Sequence, residues 1–282
     1  MKTLETTFYY INLKGAEERD EFMKSQAGVV GIDQHIDRFC AIDASTPECL
    51  EATGYRSGGW RSRWSLTRTE IAVFESHRAL WNRVAMGSDA AAVIMEDDIF
   101  LSPKIKDVVA IVEASEIAFD VIRLDGCSGK HRYGPPINNN HPNLREILQT
   151  VPSAACYMVS KEGAVKLLKG SEAYCDHVDD YLFSPERNWR CFQSWPAVAI
   201  QGMFSNVIDQ PQVSMEILNS VRSSAPSEKS APDKGPIAYR LAKEAKRFFV
   251  KCRRRFGGDK RLVGRGGVVG YPPLAEGLPE YR

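Results

Sequence analysis

The amino-acid sequence predicts an α/β fold with a mostly parallel sheet, followed by a linker and a basic C-terminal helix. Short β-rich runs alternate with stretches of helical periodicity through the first 170 residues. Several of those runs end in an acid or amide. In parallel sheets ligands bind outside the carboxyl ends of the strands, so these polar ends predict a common rim.

The first run, residues 7–12 (TFYYIN), is rich in aromatic and β-branched residues and ends at Asn12. A helix is expected over 16–27. Residues 35–43 form a second strand candidate that ends at Asp43. The next helix is expected over 67–86, where Thr67 and Glu70 have capping-box spacing and fix its start. Ile71, Phe74, His77, Trp81 and Val84 follow at intervals of three and four, which places His77 on the apolar face beside Ser76. There it serves as a hydrogen-bonded core residue or offers itself to a ligand at a cleft edge. Residues 90–95 are apolar and run directly into Glu96, Asp97 and Asp98; a helix over 104–117, a strand over 119–125 ending at Asp125, and a helix over 161–168 follow.

Composition narrows the function. The chain has 37 basic and 36 acidic residues among 282, which argues against a nucleic-acid partner bound by overall charge. The balance hides a segregation. Ten Lys and Arg between Arg240 and Arg261 face only Glu244 and Asp259. Residues 221–236 read as a Ser- and Pro-rich linker, and 237–256 as a basic amphipathic helix suited to an anionic membrane surface. Residues 257–282, rich in Gly and Pro, are expected as a poorly ordered tail. Seven scattered cysteines without a C-x-x-C pair read as reduced thiols, and no apolar run is long enough for a signal peptide or membrane span. The expected location is the cytoplasm, with the tail peripheral on the inner face of the plasma membrane.

Three adjacent acids after an apolar strand need solvent, protons or a cation to offset their repulsion. A phosphate loop of the G-x-x-x-x-G-K-[ST] type is absent, as are the His and Cys spacings of zinc sites. Hard oxygen ligands suit Mg²⁺ or Mn²⁺ bound to a substrate diphosphate.

Several segments stand in a set order: 10–13 (YINL) with Arg19, 38–43 (RFCAID), 66–81 with Glu70 and Ser76-His77, and 93–98 (VIMEDD). They continue with 120–124 (DVIRL), 155–160 (ACYMVS) with Gly163-Ala164, and 177–179 (HVD). In that order they resemble glycosyltransferase family 25, which includes lipopolysaccharide sugar transferases and collagen galactosyltransferases. The resemblance implies a GT-A-like single domain of Rossmann type over residues 1–220 and a nucleotide-sugar donor, most often a UDP-hexose such as UDP-galactose. It also implies transfer with inversion to a saccharide or glycolipid acceptor such as lipopolysaccharide. Asp98 would lead the metal ligands, with Glu96 and Asp97 beside it. Asp179, or Asp180 after it, would take the acceptor proton. Asn12, Arg19, Asp43, Glu70, His77, Glu96 and Asp97 would make up the donor side.

The sequence departs from the family pattern at Ala44, Thr69, Ala72 and Val73, and at His177, where proline is usual. Two other readings compete: a metal-dependent phosphohydrolase or nucleotidyltransferase, and a non-catalytic saccharide-binding relative.

Overall fold

A computed structural model describes residues 4–46, 53–60, 62–137, 143–209 and 233–282. Along the chain the elements are β1 (Thr7–Asn12), α1 (Glu17–Val30), β2 (Ile36–Cys40), α2 (Arg68–Met86), β3 (Ala91–Glu96), β4 (Ile99–Leu101) and α3 (Ile105–Glu113). Then come β5 (Val121–Arg123), β6 (Asp125–Gly126), β7 (His131–Pro136), β8 (Asn143–Ile147), β9 (Cys156–Ser160), α4 (Lys161–Gly170) and α5 (Val178–Leu182). The last are β10 (Cys191–Trp195), β11 (Ala199–Gln201), α6 (Ile237–Arg253), α7 (Asp259–Gly264) and β12 (Val268–Gly270).

The main sheet has nine strands in the order β12-β7-β8-β10-β5-β9-β3-β1-β2. Strands β1, β2 and β3 are mutually parallel, as are β5 and β10, and β9 runs antiparallel between β3 and β5. The α/β class and the parallel set agree with the sequence reading. The sheet is mixed, because β9 and the β7, β8 and β12 ladders add antiparallel pairs.

Side-chain alternation splits the core in two. Phe8, Tyr10, Val93 and Met95 point to one face, where Met23 and Ala27 of α1 and Val109 of α3 cover them. Ala92, Ile94, Tyr157 and Val159 point to the other, against Phe74 and Trp81 of α2 and Leu167 of α4. Strand β3 is buried on both faces, which accounts for its unbroken apolar sequence.

Helix α2 starts as expected: Thr67 accepts the Glu70 amide, and the Glu70 carboxylate accepts the Thr67 amide at 2.8 Å. Helix α4 is capped by Ser160 and lies very close to β5. A Cβ on Gly163 would stand 2.1 Å from the Asp120 carbonyl oxygen, so only glycine fits there.

Residues 257–282, expected as a poorly ordered tail, are instead built into the fold. Strand β12 pairs with β7, Arg132 holds Asp259 through two 2.7 Å bonds, and the Ala275 amide donates to Ala197. The Gly and Pro content that suggested disorder supplies tight turns between these pairings. The expected linker at 221–236 lies outside the described residues except for 233–236. Cys40, Cys127, Cys156, Cys175, Cys191 and Cys252 are free thiols. No described helix is long and apolar enough to cross a membrane.

Candidate active site at the carboxyl rim of the sheet

Strands β1, β3 and β5 run in the same direction, so Asn12, Glu96 and the residues after Arg123 reach the same rim. Strand β9 runs the other way and therefore starts there, which brings Ser153 to the same edge. The small sheet β4-β11-β6 takes β4 and β6 from the segments that follow β3 and β5. Its register sets Gln201 opposite Ile99, and the Gly202 amide donates to the Asp98 carbonyl at 2.8 Å. Gln201 is thereby placed on the acids.

The three neighbouring acids take different directions. Asp97 is buried and accepts Asn12 Nδ2 at 2.7 Å and Arg19 Nη1 at 3.0 Å, tying β1 and α1 to the end of β3. Burial raises its pKa, although the Arg19 charge opposes the shift. Glu96 and Asp98 share one amide: Gln201 Nε2 lies 2.9 Å from Glu96 Oε2 and 3.1 Å from each Asp98 oxygen. Burial, followed by repulsion from Glu96 and Asp97, pushes the Asp98 carboxyl up to about 8. Gln201 thus joins Glu96 and Asp98, while Asp97 is turned to Asn12 and Arg19. Those two donor-side candidates are buried on this carboxylate.

Ser153 extends the network. It is a non-glycine residue with φ +73°, a backbone state that costs free energy and persists only where its surroundings enforce it. Its hydroxyl donates to Asp125 Oδ2 at 2.6 Å and lies 3.4 Å from Gln201 Oε1, and its amide donates to Asp179 Oδ2 at 3.2 Å. Asp125 also holds Arg123, and burial pushes its carboxyl up to about 6. Acids far apart in sequence thus meet through one serine and one glutamine.

Asp179 and Asp180 lie in the first turn of α5, where the Asp180 amide donates to Asp179 Oδ1 at 2.8 Å. Asp180 faces Arg63 Nε at 3.3 Å, and burial and the Asp179 charge raise its pKa. His177, just before the helix, reaches Glu70 Oε1 with Nε2 at 2.7 Å. Burial pushes the Glu70 carboxyl upward, but the His177 and Thr67 hydrogen bonds outweigh it and hold the group at about 2. Glu70 therefore joins the start of α2 to the start of the helix that carries Asp179. His177, Asp179 and Asp180 each bring a ligand atom within 4.8 Å of the others, the one such group among the described residues.

His77 is fully buried. Its Nδ1 lies 2.9 Å from the Tyr157 hydroxyl, which also takes the Trp81 indole N–H at 2.8 Å. Its Nε2 faces Glu96 Oε1 at 3.7 Å, too far for a hydrogen bond. Ser76 accepts the Ile42 amide at 2.9 Å and anchors the loop after β2. Asp43, in that loop, is exposed and accepts the Ser45 amide; no described contact joins it to the acids.

Ser153 and Gln201 were not among the residues picked from sequence. Neither carries a pattern that marks it; strand register alone brings them to the acids.

In α/β sheets ligands bind outside the carboxyl ends of the strands, and this acid-lined rim lies there. The glycosyltransferase family 25 (LPS biosynthesis protein) model matches residues 5–182. The chain belongs to glycosyltransferase family 25, and family membership makes it a glycosyltransferase. No curated protein matches it. Among solved structures it is similar to mannose-1-phosphate geranyltransferase from Thermus thermophilus, with 11% identity, 67% of this chain and 73% of that chain covered, and a TM-score of 0.34. It is also similar to the inositol-1-phosphate CTP transferase from T. maritima (9% identity, 79% and 96% covered, TM-score 0.38) and to a UDP-glucose pyrophosphorylase complexed with UDP-glucose (9%, 67% and 89%, 0.34).

Proposed function

We propose that this glycosyltransferase moves a hexose, galactose foremost, from a UDP-sugar to a saccharide acceptor of the cell surface such as lipopolysaccharide, with inversion and with a divalent cation. One observation carries the reading: Glu96, Asp98, Asp125 and Asp179 are joined at one rim by Gln201 and Ser153.

The donor set fits Mn²⁺ or Mg²⁺. Asp98 is deeply buried beside two other acids, and the amide that bonds it is shared with Glu96. Such a pair supplies the one or two carboxylates these ions take from protein. Glu96 and Asp98 would hold the ion. When bound, it would offset charge building on the departing diphosphate. The His177, Asp179 and Asp180 group is geometrically able to hold an ion but is already engaged by Glu70, Ser153 and Arg63.

The chain's own groups supply the rest. Asp179, oriented by two backbone amides, takes the acceptor hydroxyl proton as that oxygen attacks the anomeric carbon. Asp180 stands next to it with a raised pKa and is second in line. Asn12 and Arg19, fixed through Asp97, shape the β1–α1 edge for the nucleotide; Glu70, His77 and Asp43 support that side. The deciding experiment measures UDP release and sugar transfer with Mn²⁺. Asp98→Asn and Asp179→Asn are each expected to lower kcat at least a hundredfold with the fold intact. Turnover unaffected by chelation, or phosphate release without sugar transfer, would refute the reading.

The same proposal places the enzyme on an anionic membrane surface through α6. Ile237, Leu241 and Phe248 form an exposed stripe on that helix, with Lys251 beside it. Phe248→Glu should abolish co-sedimentation with phosphatidylglycerol vesicles at low salt. Undiminished sedimentation would remove the membrane from the proposal. Deleting residues 237–282 is not a clean test, because β12 belongs to the sheet.

A further inference from the structure

Helix α6 and residues Arg63 to Ser65 enclose an open groove of about 650 Å³ that the proposed chemistry does not use. Its charge is lopsided. Arg63, Lys234, Arg240, Lys243 and Arg247 line it, against Asp233 and Glu244. Lys243 is held over the Tyr239 ring at 5.7 Å and donates to the Ser62 carbonyl. Burial, then the charges of Arg63 and Arg247, lower its pKa, which marks a site where positive charge is in excess.

The groove also has an aromatic wall. Trp64 and the Tyr239 ring, 5.2 Å apart, form it; Trp60 stands outside the lining, 5.9 Å from Tyr239 and 69% exposed. Aromatic faces offer apolar area to the C–H face of a sugar, and guanidinium forks bind phosphate or carboxylate through paired hydrogen bonds. Arg63 joins the groove directly to the site, through its 3.3 Å contact with Asp180.

We infer that this groove is an acceptor subsite for a saccharide carrying a phosphate or carboxylate group. The inference rests on the glycosyltransfer reading and specifies its acceptor. The anionic group sits among Arg240, Arg247 and Lys243, and the sugar ring lies along Trp64 and Tyr239. The acceptor hydroxyl is then directed toward Asp179 and Asp180.

The test follows the indole N–H resonances of the ¹⁵N-labelled full chain during titration with glucose 6-phosphate, glucose and inorganic phosphate. Glucose 6-phosphate should shift the Trp64 signal saturably, and the other two should bind at least tenfold more weakly. The double variant Arg240→Glu/Arg247→Glu should bind glucose 6-phosphate at least tenfold more weakly at an unchanged Tm. No response to glucose 6-phosphate, an equal response to inorganic phosphate, or full binding by the double variant overturns the subsite. So does a response only to phosphatidylglycerol vesicles. Binding is read without turnover, so its failure with donor hydrolysis intact condemns the groove alone. Binding without donor hydrolysis would uphold the groove and count against the proposed chemistry.

Discussion

Gln201 places one amide nitrogen 3.1 Å from both carboxylate oxygens of Asp98, at a distance of 103 residues along the chain. The amide offsets only part of what burial and two neighbouring acids do to that carboxyl, whose pKa stands at about 8. The folded protein therefore holds a proton there that the unfolded chain gives up near pH 4. In metal-free protein, stability should fall as pH rises between about 4 and about 8. Asp98→Asn cannot ionise, so it should raise the metal-free Tm at pH 8 and change it less at pH 5. A lower Tm at pH 8 would contradict this assignment.

Glu70 shows the opposite sign. Its folded pKa of about 2 lies below the unfolded value, so its contribution is present above about pH 4.5 and is lost as pH falls toward 2. Glu70→Gln should cost on the order of 2 kcal/mol at pH 7 and little at pH 2.5, measured by urea unfolding. Equal loss at both pH values would point to packing instead.

Tyr157 satisfies both the Trp81 indole and one edge of His77 inside the core. Tyr157→Phe strands two buried polar groups, at about 1–3 kcal/mol for each. The urea midpoint should fall accordingly, and kcat should fall with it if His77 helps to orient Glu96. A variant with unchanged stability would show that the two groups find other partners.

Gly163 has no room for a methyl group against the Asp120 carbonyl. Gly163→Ala should push α4 away from β5 and cost roughly 1–3 kcal/mol, or more, in thermal unfolding. A change below about 0.5 kcal/mol would mean that the two elements separate easily.

Much of this was legible in the sequence where the deciding forces are local. The Thr67 and Glu70 spacing located the start of α2, and the TFYYIN run marked β1 residue for residue. The acids after β3 were legible as a group. Their division into a Glu96 and Asp98 pair and a separate Asp97 was not, because Arg19 and Gln201 reach them through tertiary packing. Ser153 was hidden for a similar reason: a left-handed serine has no sequence signature. The C-terminal residues misled because glycine and proline mark tight turns and disorder alike, and only the partner strand β7 decides between them. His177 departs from the family pattern, and its 2.7 Å contact with Glu70 gives that departure a physical role.

The buried chain from Trp81 to Glu96 also has a direction. An indole nitrogen can only give its hydrogen, so Tyr157 must receive it and is free to pass its own hydroxyl hydrogen to His77 Nδ1. When Nδ1 accepts that hydrogen, the ring carries its own on Nε2, the atom that looks at Glu96. A tryptophan far inside the core thus bears on the polarity that a rim carboxylate meets, and in that tautomer any movement of Glu96 toward the ring finds a donor already waiting.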